Sequence, residues 1–433
     1  MGNPQLFQEV MVKSIGLFLI VLFGAQASFA IDTEFFGYLR GGTGVNLEGG
    51  KQECFYNAGI PGNFLRLGNE CTFYSEIGMI FQHKKPEPGD EVFFRTQVRL
   101  MYGAAGNRVW EDAANKDMNQ VEAFVTAGGF SELPGSVWIG KRFYRDVDLN
   151  IFDWYYYADM SGVGAGWEDI PVGKGYLSIA HLIQANDDLT SVGHPVLQAL
   201  DVRLKTLPIG AEQNLNLWGV FAWAPESSTA TQSYVQTNGY SLSARVQGPV
   251  LGGNNNSTLL YGKGAMKDLN IYASSVVPAT DDSQNKAWTL RFVEDWTRDV
   301  TDRWALMLGF AAQYAENGQA QDNKVTWQEI GVRPMYYISD RFQMVFEAGY
   351  SHILDESEKD GSGNAVGDRE LGRLTIAPQL SVKKSIWGRP VMRAFLSHSV
   401  WNTANRDHIK VNAPTFAKRD EGTSFGYQFE VWF

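Results

Sequence analysis

Along most of this chain apolar and polar residues alternate with a period of two, the spacing that sends successive side chains to opposite faces of a strand. The carboxy-terminal run is the clearest case. Phe425, Tyr427, Phe429, Val431 and Phe433 fall on one face, and Gln428, Glu430 and Trp432 on the other. Phe94, Val98 and Leu100 oppose Arg95, Gln97 and Arg99 in the same way, and Val202 and Leu204 oppose Arg203 and Lys205 beside Asp201. A strand with lipid on one side and water on the other needs both faces. Thr301-Asp302-Arg303 and Ser339-Asp340-Arg341 each lead into an apolar strand (Trp304 to Phe310; Phe342 to Tyr350) and predict short periplasmic hairpins. The polar, Gly- and Asn-rich pieces Gly252 to Ser257 and Glu356 to Arg369 predict extracellular loops or their shoulders. No helical periodicity lasts long enough to make a second domain.

Beyond Ala30 no run of about 18 apolar residues occurs, which excludes membrane-spanning helices. Aromatics nevertheless make up 13% of the chain, glycine is frequent at 45 residues, and charged residues are only 20%. A secreted all-β protein shares that composition, but the alternating, aromatic-terminated last strand argues for a barrel in lipid. At about 10 residues per strand plus turns and loops, the roughly 400 residues after Ala30 make about 16 to 18 strands, wide enough to enclose water. The fold class is therefore all-β, a transmembrane antiparallel β-barrel over residues 31–433. Residues 1–30 read as a cleaved export signal: Lys13 precedes the apolar run Ile15 to Ala25, and Ser28-Phe29-Ala30 places small residues where a signal peptidase cuts. The residues before Met11 are unlike such a signal, which makes Met11 an alternative start. A terminal aromatic such as Phe433 is what the assembly machinery of Gram-negative outer membranes recognises, so the ending also predicts a multi-pass outer-membrane location.

The net charge of −11 argues against a nucleic-acid partner. Cys54 and Cys71 lie close together in a chain bound for an oxidising compartment and are expected to form a disulfide, with about 3 kcal/mol of stabilisation in the chain-entropy model. No histidine flanks either cysteine at metal-ligand spacing. No cofactor is expected, although the acidic loops carry the oxygen ligands that calcium takes. The six histidines (His83, His181, His194, His352, His398 and His408) lie in no nucleophile motif, and Ser397-His398-Ser399 reads as a strand fragment, so an enzyme is not predicted.

Eight stretches carry a family resemblance: Phe36-Gly37-Tyr38-Leu39-Arg40, Arg66-Leu67-Gly68-Asn69-Glu70-Cys71, Trp138-Ile139-Gly140-Lys141-Arg142-Phe143-Tyr144, Asp153-Trp154-Tyr155-Tyr156, Ser161-Gly162-Val163-Gly164-Ala165-Gly166, Gly331-Val332-Arg333-Pro334-Met335-Tyr336, Ser385-Ile386-Trp387-Gly388-Arg389-Pro390 and Glu430-Val431-Trp432-Phe433. In order and along the chain they resemble the maltoporin family of sugar-selective porins, with residues 183–328 matching less well. The resemblance implies an eighteen-stranded homotrimer with an inward-folded constriction loop, passing maltose and maltooligosaccharides by facilitated diffusion. It also implies an aromatic slide at Tyr38, Tyr74, Trp110, Trp387 and Trp432, with Trp110 on a loop that enters the neighbouring subunit's channel. Pyranose rings have a C–H face suited to aromatic surfaces and a belt of hydroxyls suited to charged partners.

The polar track carried over comprises Arg40, Arg66, Glu76, Asp148 and Asp153, with a looser match at Lys116. Period two supports two slide members independently, because Tyr38 shares a face with Arg40 and Trp432 shares one with Gln428 and Glu430. Two positions depart from the family. Asn254 stands where a sixth aromatic is expected, and Asp146, beside the constriction residue Tyr155, stands where the family has an arginine. Either Arg145 takes that arginine's place through a shift of the loop, or the constriction is more acidic than usual. The alternatives are a general diffusion porin, or a porin for another oligosaccharide; the extracellular loops also offer phages or colicins a surface.

Overall fold

The computed structural model describes residues 31–62, 64–105, 116–155, 157–184, 196–228, 233–271 and 281–433. Eighteen strands form one closed sheet. They are β1 (Asp32–Asn46), β2 (Thr72–Lys84), β3 (Phe93–Ala105), β4 (Lys116–Gly128), β5 (Ser136–Arg142), β6 (Gly162–Val172), β7 (Gly175–Gln184), β8 (Leu197–Pro208), β9 (Asn214–Ala224), β10 (Thr237–Val250), β11 (Gly253–Gly264), β12 (Trp288–Asp299), β13 (Trp304–Glu316), β14 (Lys324–Tyr337), β15 (Phe342–Asp355), β16 (Arg369–Ser381), β17 (Val391–Trp401) and β18 (Glu421–Trp432). Each strand pairs antiparallel with its neighbours in sequence, and β1 pairs with β18 to close the barrel, Tyr38 opposite Trp432. Closure leaves no sheet edge to be satisfied in lipid.

The alternation seen in the sequence is the inside and outside of this wall. On β18, Phe425 and Tyr427 are 43% and 61% exposed on the outer face, whereas Gln428 and Glu430 are 4% and 3% exposed on the inner one. Outward aromatics gather in two belts. Trp304 packs on Tyr336 at 4.9 Å at one end of the wall, and Tyr240, Tyr261, Trp288 and Tyr314 form a chain of ring contacts at the other. Such girdles mark the two membrane interfaces. Connections at the Trp304 end are short, including 300–303 and 338–341, and those at the other end are longer, including 356–368; the short side is periplasmic in barrels of this kind.

One expected loop is not a loop. Gly252 to Ser257 was expected outside the cell, but Leu251 and Gly252 form the short turn between β10 and β11, and residues from Gly253 onward belong to β11. Leu251 (φ 50°) and Gly252 (φ 73°) both adopt positive φ, which is what a two-residue hairpin turn demands. The polar run that suggested a loop is bound to the next strand instead: Ser257 Oγ donates to Glu294 at 2.6 Å and Asn256 Nδ2 to Asp295 at 3.3 Å.

Two connections turn into the barrel and position the site. The first loop, 47–71, is closed by the Cys54–Cys71 disulfide. It buries Phe55 against Trp401 and Phe416, and Leu65 beside Ile151 and Phe152 of the constriction loop, 143–161. The second of these apolar groups rests on three glycines that lie side by side on the inner wall, Gly309 opposite Gly331 and Gly331 opposite Gly349. A Cβ on Gly309 would stand 2.5 Å from Ile151, and one on Gly331 would stand 2.7 Å from Leu65. The absent side chains let the loops lie flat against the wall. Buried polar contacts fix the same loop: Leu67 N donates to Glu347 Oε1 at 2.9 Å, and Arg373 Nη2 donates to Gly68 O at 2.9 Å.

Candidate functional site

With one side of the lumen filled, the open path runs along the inner faces of β18, β1 and β2. Period two puts Tyr38 and Arg40 of β1 on that face, and register places Tyr38 opposite Trp432 on one side and Glu76 on the other, with Arg40 opposite Tyr74. The Tyr38 and Tyr74 rings lie 6.1 Å apart. Tyr74, Tyr38 and Trp432 therefore make an aromatic line over three adjacent strands. They border a cavity of about 700 Å³ together with Arg40, Arg66, Glu76, Asp148, Asp153 and Tyr155.

The charges of this cavity are bound to one another. Glu70 accepts from Arg40 and from Arg66 Nε at 2.7 Å. Glu430 accepts from Tyr38 Oη at 3.0 Å, Arg66 Nη2 at 3.1 Å, Arg389 Nε at 2.8 Å and Arg393 Nη2 at 3.1 Å. Asp153 lies 2.9 Å from Arg40 Nη1, and Arg99 Nη1 donates to Glu76 Oε2 at 2.8 Å while Tyr74 Oη donates to the other Glu76 oxygen. Guanidinium groups also stack on the line, Arg40 over Tyr74 at 5.4 Å and Arg389 over Trp432 at 4.2 Å. Reciprocal pairing of this kind holds the hydrogen-bonding groups in place without a ligand.

Besides Arg145, which has no carboxylate at ion-pair distance among the described residues, Asp148 is the exception. Its Oδ1 is buried without a hydrogen-bond partner among the described residues, and burial pushes the carboxyl up to about 7.

The structure brings most of the sequence-selected residues together and sets others apart. Trp387 lies in the 382–390 turn at the periplasmic end, 45% exposed and outside the cavity. Asn254 is exposed at the start of β11, near the same end. Trp110 lies outside the described residues. Asp146 lines a second cavity, which Tyr155 also borders, rather than the aromatic one, and its carboxylate is held 3.1 Å from Arg245 Nη2 of β10. A buried guanidinium needs a counter-charge, and Asp146 supplies it. Arg145 lines both cavities, stacked 3.9 Å from the ring centres of Phe143 and Tyr155.

Sequence reasoning missed the two carboxylates that organise the arginines. Glu430 was placed on the lumen face by alternation, but its four partners come from distant parts of the chain. Glu70 sits in a loop, where period two gives no direction; its only signal is a charge beside a cysteine expected to be tied down.

Solved structures similar to this chain include two from Acinetobacter baumannii. OccAB2 has 11% identity, covers 94% of this chain and 100% of its own, and gives a TM-score of 0.48. OccAB4 has 10% identity, 93% and 98% coverage, and a TM-score of 0.47. OmpT of Vibrio cholerae, in its in-vitro folded trimer form, has 9% identity, 93% and 100% coverage, and a TM-score of 0.40. Residues 33–433 match the family described as LamB porin, essentially the whole barrel. A closed barrel with a charged lumen and a family match of that extent make the chain an outer-membrane channel rather than an enzyme, and it belongs to the LamB porin family.

Proposed function

We propose that this porin is sugar-selective and passes maltose and maltooligosaccharides by facilitated diffusion as a homotrimer, after removal of residues 1–30. The observation that carries this reading is the aromatic line of Tyr74, Tyr38 and Trp432 facing paired charges across one cavity. A chain of pyranose rings sliding past it exchanges one aromatic contact for the next while its hydroxyls exchange partners among Arg40, Arg66, Glu76 and Asp153. Several similar, weak subsites bind without trapping, which conduction requires.

The test is block of ion current by maltotriose in a planar bilayer. Wild type is expected to show saturable block, and Tyr38→Ala, Trp432→Ala and Trp110→Ala are each expected to weaken it several-fold, the loss of about 1 kcal/mol of ring contact. Full conductance with no block in the wild type would make this a general diffusion porin.

A further inference from the structure

The second cavity, about 400 Å³, lies against the inner faces of β3, β4 and β6 on the periplasmic side of the constriction loop, and none of the described slide residues borders it. Its charges do not cancel. Three carboxylates face it, and each is already engaged: Glu122 with Arg99 Nε at 2.6 Å, Glu168 with Arg142 Nη1 at 2.6 Å, and Asp146 with Arg245 Nη2 at 3.1 Å. Two further guanidiniums line the cavity, Arg95 and Arg145, and among the described residues neither has a carboxylate partner. Both are half-buried. The flat faces of Arg145 are covered by Phe143 and Tyr155, each at 3.9 Å, and Arg95 lies 5.6 Å from the Phe93 ring. Stacking occupies the faces of a guanidinium and leaves its N–H edge, the part that binds a carboxylate or phosphate in two-point fashion.

We propose that this cavity is a binding site for the anionic group of a sugar, a carboxylate or a phosphate, held between the edges of Arg95 and Arg145. The inference deepens the sugar-porin reading and rests on it only in that the ligand enters through the same lumen. Arg145 borders both cavities, so a ring leaving the aromatic line reaches it directly, and Arg95 lies on the periplasmic side of that contact. A volume of about 400 Å³ is within the ordinary range for small-molecule sites, roughly 300–1,000 Å³. The lining carries four arginines against three carboxylates, one positive charge in excess, which favours anions on these low-dielectric walls even though the whole chain carries −11. A neutral oligosaccharide gains little at this site, whereas an acidic one gains charge-assisted hydrogen bonds to both arginines.

The experiment compares half-blocking concentrations of glucose, glucuronate and glucose 6-phosphate in planar bilayers at low ionic strength, with maltotriose run separately on wild type. Both anionic sugars are expected to block wild type at concentrations about tenfold below glucose, one charge-assisted contact's worth. That ratio is expected to fall to near one in Arg95→Gln/Arg145→Gln and to stay above one, but below the wild-type value, in Arg95→Lys/Arg145→Lys, which keeps the charges without the two-point edge and controls for folding. A stronger effect of one anion identifies carboxylate or phosphate as the preferred group. Equal half-blocking concentrations for all three monosaccharides in wild type, or a ratio unchanged in the Gln variant, would overturn the proposal. Maltotriose block separates the two readings: if it persists while the anionic preference is absent, the site fails and the neutral-sugar porin stands; if it is absent while the anionic preference is present, the reverse holds.

Discussion

Asp148 shows how a single loop residue sets the electrical character of the lumen. Burial raises its carboxyl to about 7, with Arg66 and Arg145 pulling it down and Asp153 and Glu430 pushing it up. The sign follows directly: below that value the group is neutral, and above it the lumen carries one more negative charge. No described histidine lines either cavity, so no imidazole competes in that range. Cation preference, read as reversal potential in a salt gradient, is expected to fall as the bath goes from about pH 8.5 to about pH 5.5, and most of that change is expected to vanish in Asp148→Asn. An unchanged pH response in the variant would assign the titration to another group. Asp148 was selected by family position and lines the aromatic cavity, but nothing in the sequence could give its environment. For Asp146 even the direction was hidden, because strand parity ends at Arg142 and only the fold brings Arg245 opposite it.

Strands were legible because the membrane imposes period two on every one that crosses it, as the Phe94–Leu100 and Asp201–Lys205 patterns illustrate. The inward loops were not, since Leu65, Ile151 and Phe152 follow no period and become meaningful only against the glycines they meet. Those glycines make the loop position testable. Gly331 has an ordinary extended backbone, so Gly331→Val acts through the clash with Leu65 and Ile151 rather than through backbone strain. Overpacking of about 1–3 kcal/mol is expected, together with lower single-channel conductance as the loops are displaced into the open path. Gly219→Ala is the contrast, because its added Cβ would meet nothing nearer than 3.6 Å and is expected to leave both conductance and thermal stability unchanged. If Gly331→Val conducts like wild type, the glycine row does not set the loop position. The disulfide was read from compartment and spacing alone, and the fold adds its reason: it ties the base of the same first loop.

At the scale of the whole barrel, the seam between β1 and β18 joins the two ends of the chain, so the last pairing to form spans the greatest sequence separation. Such contacts carry the largest loop-closure cost and form late. Phe433 fastens that seam just beyond the last strand residue. Its backbone N donates to Gly37 O at 3.1 Å, and its carbonyl accepts from Gly37 N at 3.0 Å. Its ring covers Gly37, where an added Cβ would stand 2.7 Å from Phe433 Cζ, and remains 59% exposed on the outer face. Deleting Phe433 therefore removes a two-bond pairing and an interfacial aromatic at once. The yield of folded, heat-modifiable barrel in the outer membrane is expected to fall severalfold. Phe433→Ala keeps the backbone pairing and loses only the ring, so it divides the two contributions. An Ala variant that assembles normally while the deletion fails would assign the defect to the seam's hydrogen bonds. Normal assembly of the deletion would mean that Phe433 does not matter for closure.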